Sequence, residues 1–216
     1  MRRIMLRLAV LMAGAGLLFI IGCLGFGEGT QTPTRFYVLH SLQSSEETTP
    51  AIAKLPDVAI GVGPVRIPQY LERPQIVRRA SRNQLGMAEF SQWAEPIRVN
   101  ISRVLAENLS VLLATKQVSL FPWLKSTDID YQIILEITRF DGNPENEALL
   151  RAKWSVFGKD GKEELTSDYS NYSEPIKAND TEALIAAQSR TVEQLSREIA
   201  GALNALAEGK LPGNKE

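Results

Sequence analysis

The sequence predicts an α+β fold, a single domain in which an antiparallel or mixed β-sheet carries two amphipathic helices packed on one face. Three observations predict it. Short runs of strand-forming residues are bounded by turn residues and grouped as hairpins. Two longer segments, 97–112 and 181–207, repeat their apolar residues at helical spacing. The 216 residues are 44% hydrophobic and 23% charged, the balance of a globular protein with one core.

Each element has its own signal. Arg35-Phe-Tyr-Val-Leu-His40 reads as a first strand, and the polar stretch Ser41 to Pro56 as a loop. Asp57 to Ile67 is a second strand, in which Gly61, Gly63 and Pro64 point to a bulge or an edge position. Gln75 to Ala80 and Leu85 to Phe90 form a hairpin around Ser81-Arg82-Asn83-Gln84. Pro96 opens a helix where its missing N–H costs nothing. Ile97, Ile101, Val104, Leu105, Leu109 and Leu112 form that helix's buried stripe. Asp130 to Phe140 and Ala148 to Phe157 are strands joined through Asp141-Gly-Asn-Pro144. Lys159-Asp-Gly-Lys162 offers the Asp-Gly pair of a tight hairpin and leads to a strand around Thr166 to Tyr172. Asn179, with Glu182 three residues on, has the form of a helix cap. Leu184, Ile185, Val192, Leu195, Ile199, Ala202, Leu203 and Leu206 are the last helix's stripe, which Gly209 and Pro212 end.

The N-terminus carries a different message. Arg2, Arg3 and Arg7 precede an apolar run that closes on Ile20-Ile21-Gly22-Cys23. A basic start and a short apolar stretch are the form of a secretory signal. A small residue followed by cysteine is the form of a bacterial lipobox, whose thiol accepts diacylglycerol. An uncleaved membrane anchor is the competing reading, because residues 8–27 hold no charge and just suffice to span a bilayer. The glycines and polar residues after Cys23 favour processing. The organisation read is thus a signal peptide over 1–22, a lipidated Gly/Thr/Pro tether over 23–34, a domain over 35–208 and a tail over 209–216. Several acyl chains anchor stably where one does not. Leu24, rather than aspartate, follows the cysteine; in Gram-negative sorting this points to the outer membrane, facing the periplasm, with inner-membrane anchoring as the alternative.

Composition and motifs exclude several functions. Removing the first 22 residues takes away three arginines and no acid, leaving 21 basic against 25 acidic side chains. Such a domain has no electrostatic footprint for nucleic acid. His40 is the only histidine, so a histidine-based zinc site is excluded and the ring reads as structural. There is no phosphate-binding loop and no nucleophile elbow. The acids at 46–47 and 163–164 read as solvated surface, and Asp128, Asp130, Asp141 and Glu145 fit no calcium loop. We therefore expect no catalytic residue, no cofactor and no metal. Arg78, Arg79 and Arg82 cluster on the first hairpin, either as exposed strand residues or as a contact for lipid phosphate or an acidic partner.

The segment Ile67-Pro-Gln-Tyr-Leu-Glu-Arg-Pro-Gln-Ile-Val77, with Arg35-Phe-Tyr-Val-Leu39 before it and Ala88-Glu-Phe-Ser-Gln-Trp-Ala-Glu-Pro96 after it, resembles the ABC-type transport auxiliary lipoprotein family. These are the PqiC-like lipoproteins that accompany MCE-domain lipid transport systems. The resemblance implies a non-enzymatic role in moving lipids or other hydrophobic molecules between the two membranes. The implied partner is a periplasmic MCE-domain protein, and a homo-oligomeric ring would suit docking onto it. Tyr70, Leu71, Arg73 and Pro74 are then candidates for a partner-contacting loop. Equally, Pro68 and Pro74 would fix a strand crossover, with Arg73 capping a carbonyl. A periplasmic lipid-binding carrier and an envelope-assembly accessory remain as alternatives.

Overall fold

A computed structural model describes residues 32–42, 50–124, 127–142, 147–178 and 180–210. Among these are eight strands and two helices: β1 (Arg35–Tyr37), β2 (Ile60–Arg66), β3 (Gln75–Arg79), β4 (Leu85–Trp93), α1 (Ile97–Leu112), β5 (Val118–Leu120), β6 (Tyr131–Gly142), β7 (Glu147–Phe157), β8 (Glu164–Pro175) and α2 (Thr181–Ala207). Cys23, the signal segment, the tether through residue 31, Asn179 and residues 211–216 of the tail lie outside the described residues.

The fold is α+β as expected, but the strands form two sheets rather than one. A five-stranded sheet has the order β5-β2-β6-β7-β8, and a three-stranded sheet the order β1-β4-β3. In the larger sheet β5, β2 and β6 run parallel while β6, β7 and β8 pair antiparallel. In the smaller, β1 is parallel to β4 and β3 antiparallel to it. β2 holds a bulge between Val62 and Val65, the first of the two readings its glycines allowed. It is no edge strand, because β5 pairs with its other side. Gly61 is required there: a Cβ would lie 2.9 Å from the Trp123 ring. Gly63 has φ +117°, a conformation that side-chain-bearing residues rarely adopt.

Both helices lie on the larger sheet and against each other, α1 over β2 and β5, α2 over β6, β7 and β8. Strand alternation supplies the floor beneath them. Ile133, Leu135 and Ile137 of β6 and Leu150, Ala152, Trp154 and Val156 of β7 are buried, as are Ile101, Val104, Leu105 and Leu109 of α1 and Leu184, Val192, Leu195 and Ile199 of α2. Each of the Leu, Ile and Val side chains among them contributes roughly 1.5–3 kcal/mol by leaving water. Trp154 joins this core with its indole N–H donating to Ser170 Oγ at 3.0 Å, and Ser170 in turn donates to Glu198 of α2 at 2.7 Å. The α2 cap is Asp180, whose carboxylate accepts from Ala183 N at 2.7 Å.

The segment after β1 is a strap laid across the helices. Leu39 N–H donates to Asn100 Oδ1 at 2.7 Å, Leu42 N–H to Asn108 Oδ1 at 2.8 Å, and His40 N–H to Ser189 Oγ at 3.2 Å. Farther along, Ile52 and Leu55 donate to the carbonyls of Leu112 and Leu113, which the end of α1 leaves without intrahelical partners.

Candidate functional site

The chain leaves β2 in the larger sheet and crosses to β3 in the smaller through Ile67–Pro74. Pro68 and Pro74 flank a single 3-10 turn over Gln69–Leu71, closed by Leu71 N–H to the Pro68 carbonyl at 2.9 Å. This is a strand crossover, as the spacing of the prolines allows. Its side chains divide. Leu71 is buried in the core, while Arg73 and Pro74 are exposed. Arg73 donates to the Met87 sulfur at 2.9 Å rather than to a carbonyl.

Against this crossover lies the stretch that ends β4 and opens α1. Trp93 N–H donates to the Pro74 carbonyl at 2.7 Å, and Ala94 N–H to the Tyr37 carbonyl at 2.9 Å, so the backbones are fixed to one another. Between them is a half-open cleft of about 320 Å³ lined by Ile67, Trp93 and Ile97 within, and by Glu72, Arg73, Pro74, Glu95 and Arg98 at its rim. Its acids are already engaged. Glu95 accepts from Asn100 Nδ2 at 2.7 Å and from Arg103 at 2.9 Å, and Glu72 faces Arg98 at 3.5 Å. Apolar walls with a rim of mixed charge form a surface for holding another chain or an apolar ligand. The two motif segments, separated in sequence, thus line one cleft. Tyr70 and Leu71 of the same motif point elsewhere.

Tyr70 belongs to a second cluster. A bulge between Ile137 and Arg139 shifts the alternation of β6, turning Phe140 into the core and placing Arg139 and Asp141 on the opposite face. Asp141, a turn residue by its sequence, has a fully buried side chain, held by Arg79 of β3 at 2.8 Å and Arg139 at 2.9 Å. Burial alone would raise its pKa, but hydrogen bonds from Arg79 and Arg139, with their charges, hold it below the usual carboxylate range. Tyr70 sits beside this group, and its hydroxyl is raised by burial first and then by the charge of Asp141. The cluster ties the smaller sheet to the larger.

The basic residues of the first hairpin therefore separate. Arg79 is committed to Asp141. Arg78 donates to Thr181 Oγ1 at the start of α2, and its Nε is buried without a partner. Arg82 is exposed in the turn, where its carbonyl accepts from Arg79 at 3.1 Å. Arg79, Arg82 and Arg139 border a second open cleft of about 450 Å³. His40 rests beside Arg190 and Glu193; loss of solvent around its ring and the Arg190 charge lower its pKa, with Glu193 opposing. Among the described residues, no group of three or more His, Cys, Asp or Glu could hold a metal ion. Nor is any described helix long and apolar enough to cross a membrane.

The sequence signal for the first cleft was the pair of motifs, the second of which contains Glu95; Arg98 was not marked, and Asp141 was read only as a turn residue. Comparison with known proteins names the class. The chain belongs to the family of ABC-type transport auxiliary lipoprotein components, whose model matches residues 37–200. That is a family of membrane-anchored accessory subunits serving a transporter, and it is not a class of enzymes. None of the curated proteins matches the chain. Among solved structures, a Xanthomonas campestris protein of the DUF330 family is similar with a TM-score of 0.66 at 15% identity, covering 82% of this chain and 98% of that one. The crystal structure of an uncharacterized protein is similar with a TM-score of 0.64 at 16% identity, covering 80% and 99%. At those identities the likeness is one of fold.

Proposed function

We propose that this chain is an outer-membrane lipoprotein, acylated at Cys23, that serves an MCE-type ABC system moving lipids or other hydrophobic molecules between the membranes. It docks the periplasmic MCE partner and performs no chemistry of its own. The observation that carries this reading is the cleft itself, whose walls are the two segments most characteristic of the family resemblance. Arg73, Pro74 and Arg98 are among the exposed positions there, with Glu72, Ala94 and Pro96, and they are the docking residues; Tyr70 and Leu71 shape the crossover from beneath. Leu24 after the cysteine supports the outer-membrane placement.

The test is co-purification of the full-length lipoprotein with its MCE partner from the membranes that make both. Arg73→Glu together with Arg98→Glu is expected to lower recovery of the partner at least tenfold while the domain stays folded. Failure of the unaltered chain to retain any MCE protein, in membranes and in detergent alike, would falsify the reading. A lipid-carrier role finds less support, because the space between helices and sheet is filled by Ile133, Leu135, Leu105 and Leu195.

A further inference from the structure

The cleft at Trp93 and Ile97 does not end at Arg98. On the far side of that residue is a smaller cavity of about 130 Å³, which Arg98 also lines. Its walls include Val62 and Val65 of β2, Val99 of α1, and Leu120 and Phe121 at the end of β5. The chain passes from one cavity to the other along β2, with Val65 lining the second and Ile67, just past the strand, lining the first.

The second cavity is apolar and its walls are held in place. Val99 is 44% exposed, Leu120 41% and Phe121 52%. Single exposed apolar residues are ordinary. Three around one cavity form a patch. Phe121 is nevertheless fixed. Its N–H donates to the Val62 carbonyl at 2.9 Å, and its ring meets Trp123 edge to face with centroids 5.4 Å apart. A Cβ on Gly63 would lie 2.8 Å from the Phe121 Cβ, so β2 leaves room for this close approach. An exposed aromatic that is already immobilised gives up little freedom on contact, which suits it to anchor an interface. Ser102, the hydroxyl in the wall, donates to the Arg98 carbonyl at 2.8 Å and makes no polar demand on an occupant.

Size and charge indicate what fits. Sites that enclose a whole small ligand run to roughly 300–1,000 Å³. A cavity of about 130 Å³ holds a side chain rather than a lipid. The ionic group on its wall is Arg98, whose contact with Glu72 joins two half-exposed side chains at 3.5 Å and is weak. A carboxylate brought between the two cavities would meet that guanidinium. Because the second cavity continues the cleft assigned to the protein partner, one segment of that partner can cover both. We propose that the two cavities form a single docking groove, occupied by a segment of the transport partner that places an apolar side chain in each and an acidic one between them on Arg98. The proposal rests on the docking reading of the first cleft.

The test uses the full lipidated chain made together with its MCE partner in membranes. Val99→Asp, which sets an acid where the partner's would approach, and Phe121→Ser are each expected to lower recovery of the partner about tenfold, the weight of one interface anchor. An unchanged urea midpoint shows that the domain is intact, and Tyr169→Asp on β8 is the control that leaves recovery as it was. Independently, a benzophenone attached at Phe121→Cys should cross-link to the MCE partner on irradiation, and one attached at Tyr169→Cys should not. Partner recovery that neither substitution lowers, or a retained partner that position 121 does not reach, overturns the extended groove and leaves the docking reading standing. Cross-links from 121 to lipid or to a second copy of the chain overturn it in the same way. An unaltered chain that retains no partner overturns both readings together.

Discussion

The two sheets of this domain use the same kinds of residue to different ends. In the larger, alternation holds up to the β6 bulge: Ile133, Leu135 and Ile137 go inward, Glu136 and Thr138 outward, and two helices close the inner side. Beneath and within its helices Asn108 is occupied by the strap and Ser196, and Ser170 by Trp154 and Glu198, while Gln188 Oε1 of α2 is buried without a partner. In the smaller sheet Val77 and Arg79 of β3 turn to the body, while Phe36 of β1 and Met87 and Phe90 of β4 are shown to solvent. Buried groups that are satisfied hold a structure together. Exposed apolar groups are poor for folding and good for contact. The comparison assigns stability to the core of the first region and recognition to the second, with Asp141 as the joint.

The joint offers the most severe way to break that comparison. Asp141→Ala leaves two guanidiniums facing each other without the carboxylate that both hold. For a fully buried acid the expected loss is about 3 kcal/mol, at the low end for a buried pair because both arginines are partly exposed. Urea unfolding followed by tryptophan fluorescence would read it as a lower midpoint. The same group predicts the acid side of the stability profile. Its folded pKa lies below the usual value, and its unfolded pKa near 3.9. Its contribution is therefore complete above about pH 4 and disappears as pH falls through the folded value. Asp141→Ala should flatten this part of the curve. An unchanged acid limb would remove Asp141 as the joint.

The strap is next. Asn108→Ala leaves the Leu42 N–H buried without its acceptor, while the Ser196 hydroxyl loses the Asn108 amide but keeps its bond to the Val192 carbonyl. An unsatisfied buried donor costs on the order of 1–3 kcal/mol. Hydrogen exchange should show the amide of Leu42 opening before those of β6, whereas equal loss everywhere would mean the strap is not a separate unit.

These two sites also mark where sequence reasoning stopped. The helices were legible because their stripes run unbroken from Ile97 to Leu112 and from Leu184 to Leu206. The hairpins were legible because Asp160-Gly161 and the 81–84 turn separate strand formers. Asn100 and Asn108 were not, since a polar residue on a helix reads as solvated until a neighbouring backbone supplies its partner. Asp141 was hidden by the bulge before it, which reverses inside and outside with no special residue to announce it. β5, three residues long, is too short to show any period, and without it β2 could be taken for an edge. The second sheet was missed because its pairing of β1 with β4 joins segments far apart in the chain. As for the cleft, both of its walls were visible as motifs, but their meeting depends on the Pro74–Trp93 backbone bond.

A smaller effect is expected at the start of α2. Asp180→Ala removes the acceptor for Ala183 N–H and should cost about 1 kcal/mol, seen as a lower thermal midpoint with unchanged helix content below it. An effect above that of Asn108→Ala would mean that the helix end, and not the strap, limits stability.

The sharpest form of the comparison rests on the smallest change. Phe36 and Arg82 are exposed, and no packing in the domain depends on either. If these exposed residues of the smaller sheet and its turn serve contact rather than stability, Phe36→Ser and Arg82→Ser should each alter unfolding free energy by no more than about 0.5 kcal/mol, the range of surface positions free of special features. Phe36→Ser could even stabilise slightly by removing an exposed aromatic from the folded state. Urea midpoints in detergent, away from any bilayer, would measure this. A loss of about 2 kcal/mol at Phe36 would instead make the ring part of the fold. The division between a region that holds and a region that touches would then fail at the residue where it is most exposed.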